Sequence, residues 1–169
     1  DFNFASVDKL GSYTKDESLL QKHIDAVLKY ELVDIEAIKS KNFKIVVDAV
    51  NSTGAIAVPV LLKALGVENI VVLNEEVNGK FAHNPEPLPE HLKDLSNAVV
   101  KHKADLGIAV DPDVDRLCFV CEDGSMFGEE YTLVAVADYI LSKRKGNTVS
   151  NMSSTRALKD VTVKAKLRN

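Results

Sequence analysis

The chain has 169 residues, of which 46% are hydrophobic and 27% charged, with a formal net charge of −4 and a pI of about 5.6. This length is enough for one domain with a sizeable core, and the composition is that of an ordinary globular protein. There is no basic cluster and no apolar run near the ~20 residues of a membrane span, so neither a nucleic-acid partner nor a membrane is expected.

The N-terminal part of the chain predicts two helices followed by a buried strand. Residues 1–13 show no periodicity and are predicted to be a loose lead-in. A capping-box pattern from Thr14 to Glu17 predicts the start of a helix whose apolar residues recur at helical spacing up to Leu28. A second short helix is predicted over 34–39, and the β-branched run 43–48 predicts a buried strand.

Two further helices alternate with strands in the middle of the chain. Residues 51–54 predict a turn into a helix that ends at Leu65, and Pro59 inside it predicts a late start or a kink. A strand is predicted over 70–73. A proline-rich loop, 74–87, then leads to a helix that carries Leu88, Leu92, Leu95 and Val99.

The last third of the chain predicts two strands separated by a short link and then a long helix. The strands cover 106–110 and 117–121, and the helix runs from Glu129 to Arg144. Six residues are too few for a crossover between parallel strands, so the fourth strand should run antiparallel to the third. Cys118 and Cys121 are three residues apart on that strand, so they point to opposite faces and pack as core residues.

The order β-α-β-α-β predicts parallel strands with helices on both faces of the sheet. The expected fold is therefore a three-layer α/β/α sandwich whose mixed, mostly parallel sheet has one antiparallel strand. One α/β domain is predicted over 14–147, and residues 1–13 are taken as a lead-in from a preceding domain. A strand that begins at Thr148 is expected to start a following domain, cut short at residue 169. Two cysteines form no disulfide framework, which favours a reducing cytoplasm.

Three aspartates stand between the third and fourth predicted strands, and we call Asp111, Asp113 and Asp115 the aspartate triad. In an extended loop alternate side chains point the same way, so the three carboxylates can converge on one point. Pro112 stiffens this loop. Hard oxygen ligands of this kind suit Mg²⁺ or Mn²⁺, and the alternative is a solvated acidic turn.

Two other motifs of this general kind fail on spacing. The aspartate triad and Glu122 fall at positions 1, 3, 5 and 12 of an EF-hand loop, but the required glycine is replaced by Arg116 and the flanks are strands. A phosphatase of the haloacid dehalogenase type needs Thr or Val four residues after its first Asp. That position holds Asp115, and Val114 comes one residue too early.

The run Val110-Asp-Pro-Asp-Val-Asp-Arg-Leu117, after the strand that starts at Ala104, resembles the metal-binding loop of the α-D-phosphohexomutases. This family includes phosphoglucomutase, phosphomannomutase and phosphoglucosamine mutase. The resemblance covers residues 31–160, and Val114 departs from it because many members carry a smaller residue there. Other stretches that resemble the family are Val47–Gly54, Phe81 with Asn84–Pro87, and Asn151–Arg156.

The resemblance implies a fragment of a four-domain enzyme, mainly its second domain. Such enzymes move a phosphoryl group between the 1- and 6-positions of a phosphorylated hexose through a bisphosphate intermediate. It implies that the aspartate triad holds Mg²⁺ beside a phosphoserine supplied by another domain, and that Arg116 bonds the phosphate. The alternative role for Arg116 is a surface ion pair with a neighbouring aspartate.

The family's catalytic serine loop is absent from these 169 residues. His83-Asn84-Pro85 imitates its end, but Ala82 has no hydroxyl, so this stretch is interpreted as structural. We therefore expect the chain alone to fold but not to catalyse the reaction. Two alternative functions remain at this stage: a non-catalytic interaction or regulatory α/β domain, and a Mg²⁺-dependent phosphatase of the haloacid dehalogenase type.

Overall fold

The computed structural model describes residues 2–165, in which four strands and six α-helices follow a short 3₁₀ turn at Val7–Lys9. The strands are β1 (Lys44–Asp48), β2 (Asn69–Leu73), β3 (Leu106–Val110) and β4 (Leu117–Cys121). The helices are α1 (Leu19–Leu28), α2 (Ile35–Ser40), α3 (Gly54–Ala64), α4 (Lys93–His102), α5 (Glu129–Lys143) and α6 (Ala157–Lys164).

The strands form one sheet in the order β2-β1-β3-β4. β1 pairs in parallel with both β2 and β3, while β3 and β4 are antiparallel, with Val110 opposite Leu117. The predicted antiparallel step is therefore confirmed. Because β1 and β3 run the same way, their carboxyl ends meet at one edge of the sheet, which is the edge that binds ligands in open α/β sheets.

Each face of the sheet has its own hydrophobic core, which confirms the three-layer sandwich. On one face α4 packs Leu95 and Val99 against Val46 and Val120, and all four side chains are fully buried. On the other face α3 places Leu62 in a second cluster with strand residues, which are Ile45, Val47 and Ile108. α5 contacts β4, and α6 packs on α5. No helix within residues 2–165 combines the length and the apolar character that crossing a membrane requires.

Two predicted helix starts are wrong. α1 begins at Leu19, because Asp16 accepts hydrogen bonds from the backbone N and the Oγ of Ser18 and forms a local turn where a capping box was expected. Such short side-chain bonds compete with helical ones. α4 begins at Lys93 and leaves out two residues of the predicted helix, Leu88 and Leu92. Leu88 precedes a proline and is therefore disfavoured in a helix, and Leu92 is the N-cap.

Two other local predictions also differ from the structure. α3 begins at Gly54 and carries Pro59 as its sixth residue, so the late start was wrong. No strand begins at Thr148 in the described part of the chain. Residues 144–150 are irregular there, and the next element is α6. The Thr148 hydroxyl lies 2.7 Å from that of the buried Thr162, which ties the irregular segment to α6.

Candidate metal centre

Residues 111–116, which we call the triad loop, leave the carboxyl end of β3 and turn sharply into β4. The backbone N–H of Val114 donates to the carbonyl of Asp111 (3.2 Å), and Val114 has a left-handed φ of 62°. The expectation of an extended loop is therefore wrong. The carboxylates converge because the chain turns around the Asp111 side chain, not because alternate residues point the same way.

The structure brings the three members of the aspartate triad together. One carboxylate oxygen from each lies within 4.8 Å of those from the other two. Asp111 is buried, whereas Asp113 and Asp115 are exposed at the tip. The cluster thus has one fixed member at its base and two members that face solvent.

Asp111 organises the triad loop through its two oxygens. Oδ1 accepts hydrogen bonds from the backbone N–H groups of Asp115 and Arg116, both at 3.0 Å. Oδ2 lies 4.0 Å from Nε of Arg116. One oxygen therefore shapes the backbone, and the other faces the guanidinium.

The crowding of charges separates the pKa values of the cluster. Burial alone raises the pKa of Asp111, but hydrogen bonds from the backbone of Arg116 and from Asp115 outweigh it and leave the pKa of this carboxyl lowered. Asp115 shifts in the opposite direction. Its hydrogen bond with Asp111, followed by the negative charges of Asp113 and Asp111, raises the pKa of Asp115. As the pH falls, Asp115 therefore takes up a proton before Asp111 does.

Arg116 forms an ion pair between its Nη1 and Oε2 of Glu86, and both side chains are about half exposed, at 46% and 47%. Glu86 lies in the segment 74–92, which we call the β2–α4 link. The expected alternative partner for Arg116 was a neighbouring aspartate. Asp111 does approach its Nε, but the closer partner comes from a distant part of the sequence.

The triad loop is fastened to the turn between β1 and α3, which covers 51–54. The hydroxyls of Ser52 and Thr53 both donate to the carbonyl of Pro112, each at 2.7 Å. The β2–α4 link is held by the same turn, because Asn51 accepts from the N–H of Ala82 (3.0 Å) and donates to the carbonyl of Glu76 (3.2 Å). One turn thus supports both segments.

A hydrogen bond between Asp48 and His83 lies behind this turn. Asp48, at the end of β1, is 1% exposed, and its Oδ2 lies 3.0 Å from Nε2 of His83. Its Oδ1 accepts from Asn74 Nδ2 (2.9 Å) and from the N–H of Val50 (3.1 Å). The structural interpretation of His83 agrees with these contacts. The pair anchors the β2–α4 link to the sheet.

Two β-branched residues beside the candidate centre adopt left-handed backbone, Val50 with φ of 46° and Val114 with φ of 62°. This conformation costs about 1–3 kcal/mol for such a residue, and strained residues of this kind concentrate at functional sites. The sequence singled out Val114 only as a larger residue than many members of the resembling family carry there. The structure places the cost in the backbone, where a glycine would adopt the same φ without strain.

The donor set fits a hard divalent cation. Three carboxylates offer oxygen ligands, and thiols play no part, since Cys118 is buried in the core away from the tip. Ligands on opposite sides of Mg²⁺ lie about 4.2 Å apart, because each bond is about 2.1 Å long. The three carboxylate oxygens lie within 4.8 Å of one another, which is close to this longest separation.

Sequence reasoning named the aspartate triad and Arg116 but missed Glu86, Asp48 and the role of Ser52 and Thr53. These contacts join residues that are 30 to 60 positions apart, so no local spacing reports them. The signal available was the stretch 84–87, which had been matched to a family motif without a chemical role.

Comparison with known proteins gives a consistent result. A sequence profile described as "Phosphoglucomutase/phosphomannomutase, alpha/beta/alpha domain II" matches residues 21–124. The chain is 35% identical over 163 residues to a phosphoglucomutase/phosphomannomutase of Thermococcus kodakarensis, a match that covers 95% of this chain and 35% of that protein. It is also 35% identical over 138 residues to a phosphomannomutase/phosphoglucomutase of Pseudomonas putida, covering 80% of this chain and 29% of that protein.

Solved structures extend the comparison to the fold. A crystal structure from Thermus thermophilus, described as that of a candidate phosphomannomutase, matches with a TM-score of 0.80 and 22% identity, over 94% of this chain and 36% of that one. At this identity the likeness shows the fold alone. The chain spans about a third of the length of the curated relatives it matches.

Proposed function

Because the chain belongs to the phosphoglucomutase/phosphomannomutase family and contains its α/β/α domain II, we propose that it supplies the metal-binding part of a phosphohexomutase active site. The full-length parent would interconvert a hexose 1-phosphate and a hexose 6-phosphate through a bisphosphate and a phosphoserine on another domain. The observation that carries this proposal is the convergence of three carboxylates at the carboxyl edge of the sheet.

In this proposal Asp111, Asp113 and Asp115 hold Mg²⁺, which when bound neutralises negative charge on the transferring phosphoryl group. Asp111 fixes the triad loop by accepting hydrogen bonds from two backbone N–H groups. Only the other two carboxylates then have to adjust their positions to bind the ion. Arg116 donates to the phosphate with its planar guanidinium, the side chain best suited to that contact.

The proposal also keeps the domain division. Residues 14–147 form the α/β metal-loop domain, residues 1–13 a lead-in, and residues 148–169 the start of the following domain. Supporting it, both hydrophobic clusters lie between residues 38 and 126. A cytoplasmic location belongs to the same proposal, since both cysteines are free thiols, the state that reducing compartments maintain.

NMR titration with Mg²⁺ tests the metal centre, with Mn²⁺ relaxation enhancement as a second probe. We expect the amides of residues 110–117 to shift first, and Asp113→Asn to weaken binding. Asp123→Asn, a matched change at an exposed aspartate outside the triad loop, should leave the titration unchanged. Shifts centred on Glu122 or Glu129 would contradict the placement.

The same titration distinguishes the proposed metal-binding function from the alternative, a non-catalytic interaction or regulatory domain. Such a domain keeps the fold but needs no cation, so millimolar Mg²⁺ would leave the triad loop unperturbed. The haloacid dehalogenase alternative is set aside, because the chain matches a different family and its spacing fails at Asp115.

A further inference from the structure

Arg116 has a long side chain with many rotamers, yet a phosphate contact requires its guanidinium to be in one place. Its backbone is held through the N–H that donates to Asp111, but this bond does not restrict the side-chain torsions. The contact that does is the ion pair from Nη1 to Oε2 of Glu86. Because Glu86 binds Nη1 of the guanidinium, the Nε side of the same group stays directed toward the triad loop, where Nε lies 4.0 Å from Oδ2 of Asp111.

Glu86 is itself held in a stiff segment. Pro85 and Pro87 flank it and fix the backbone φ on both sides. Its N–H donates to Oδ1 of Asn84 (3.1 Å), and its carbonyl accepts from the N–H of Leu88 (2.8 Å). A stiff backbone leaves the side-chain torsions of Glu86 free, but it fixes the point from which the carboxylate reaches Arg116 and so limits where the ion pair can form.

The segment is anchored to the sheet by the contact of His83 with the buried Asp48. Nδ1 of His83 lies 2.7 Å from the carbonyl of Asn84, and Nε2 faces the Asp48 carboxylate. Each ring nitrogen thus lies within hydrogen-bond distance of an oxygen, so the ring is held at both of its polar ends. Asn84 is in turn the residue that accepts from the backbone of Glu86. A continuous chain of contacts therefore runs from the end of β1 to Arg116.

We propose that Glu86 is a positioning residue for Arg116, holding the guanidinium beside the aspartate triad so that its remaining donors face an incoming phosphate group. This inference rests on the proposed function for its catalytic consequence, while the positioning itself is a property of this chain. Glu86 touches neither the substrate nor the metal in this role.

The first arm of the test uses the chain itself and needs no activity. Heteronuclear NOE measurements on the arginine Nε–Hε groups should show that the Arg116 side chain is ordered in the unsubstituted chain and mobile in Glu86→Gln. This substitution keeps the size of the side chain and removes its charge. Glu90→Gln, the same change four residues along the β2–α4 link, is the matched control and should leave Arg116 ordered. Equal order of Arg116 in both variants would overturn the proposal.

The second arm uses the full-length parent and a hexose 1-phosphate. Glu86→Gln should lower kcat/KM by roughly 10- to 100-fold, the scale of a misplaced contact group, with Mg²⁺ affinity within about twofold of the parent. The double variant Glu86→Gln with Arg116→Lys should have a kcat/KM little below that of Arg116→Lys alone, because the effects of two residues that act through one another are not additive. A full additional loss in the double variant would mean that Glu86 acts elsewhere.

The two arms keep failure of this inference distinct from failure of the proposed function. A parent with no mutase turnover would refute the proposed function, and the NOE arm would still decide whether Glu86 positions Arg116. Circular dichroism of Glu86→Gln checks the fold, which this half-exposed position should not disturb.

Discussion

Asp115 is the member of the triad loop whose ionisation its neighbours oppose. Its pKa is raised by the hydrogen bond with Asp111 and by the charges of Asp113 and Asp111. When folding raises the pKa of an acid, its ionised form is less favourable in the folded state than in the unfolded state. The ionised group therefore lowers the stability of the fold at a pH above the folded pKa. The effect vanishes at a pH below the unfolded pKa of about 3.9, where the group is protonated in both states. In the absence of metal, the ionised form of Asp115 therefore opposes folding at neutral pH.

Asp115→Asn should therefore raise the urea midpoint of the metal-free chain at pH 7 and leave it unchanged near pH 3. Asp123→Asn is the control with the opposite sign. The side-chain hydrogen bond from Ser125 lowers the pKa of Asp123, so its carboxylate stabilises the fold at neutral pH and its loss should lower the midpoint there. A shift in the same direction for both variants would contradict this assignment.

Arg116 tests whether the geometry of the guanidinium matters or only its charge. In the full-length parent, Arg116→Lys should remove most of the activity, because lysine keeps the charge and loses the planar fork. Steady-state kinetics measure the loss, with Arg144→Lys as the control at an exposed arginine whose partner is Glu31. Unchanged turnover for Arg116→Lys would mean that this residue only balances charge in the triad loop.

At the scale of single residues, the sequence predicted the candidate site residues that lie close together in the chain. It missed those whose contact partners are distant in the sequence. The aspartate triad is visible because its members are two residues apart. Glu86 and Asp48 are not visible, because an isolated Glu or Asp in a sequence has many possible roles and only the fold brings it to Arg116 or His83. The left-handed φ of Val114 was hidden for a similar reason, since turn geometry depends on the bonds that Asp111 accepts.

Among the secondary-structure elements, β3 shows how tightly the sheet and α4 are packed. A Cβ added to Gly107 would lie 2.7 Å from Cγ2 of Val99 and 2.9 Å from Cβ of Val120. Both neighbours are fully buried, so neither can move without disturbing the core. The glycine in this strand is therefore required by the close approach of the helix.

Gly107→Ala should lower the free energy of unfolding by about 1–3 kcal/mol, the usual cost of overpacking a core. Gly146→Ala is the matched control, because a Cβ there meets nothing within 4 Å. Urea denaturation measures both, with the slope m expected to stay constant. Equal stability of the two variants would mean that α4 can move away from the sheet at little cost.

The four strands of the sheet were predicted to within one residue, whereas the strand predicted from Thr148 is absent from the described residues and several helix starts were wrong. A strand such as β1 is buried on both faces, so its β-branched run is continuous and its ends are abrupt. Helix starts depend on competition between local turns and the helix, as at Asp16 for α1. The six-residue link between β3 and β4 predicted the antiparallel step because length alone excludes a parallel crossover.

At the scale of the whole molecule, we predict that this chain folds alone but has no mutase activity. Its cores are formed within the described residues, and its 169 residues contain no serine loop of the family type to donate a phosphoryl group. Three carboxylates supply about half of the octahedral shell of Mg²⁺. We therefore expect a Kd no better than roughly millimolar, about −4 kcal/mol.

Isothermal titration with Mg²⁺ and a coupled assay with glucose 1-phosphate and the bisphosphate check these expectations. The full-length parent serves as the positive control in the assay, and Asp113→Asn as the negative control in the titration. Micromolar binding, or turnover above the blank by the purified chain, would show that the centre is more complete than three carboxylates and one arginine.

The short link between β3 and β4 also bears on how fast the molecule folds. This pairing closes over six residues, whereas β1 pairs with β2 across 25 positions (44 to 69) and with β3 across 61 (45 to 106). The entropy of loop closure favours formation of the β3–β4 hairpin before the other pairings. The three carboxylates are therefore brought together, and repel one another, early in folding. We expect the refolding rate in stopped-flow experiments to rise as salt is raised toward 1 M, where the screening length falls to about 3 Å and approaches the spacing of these carboxylates. The rate should rise less in Asp115→Asn.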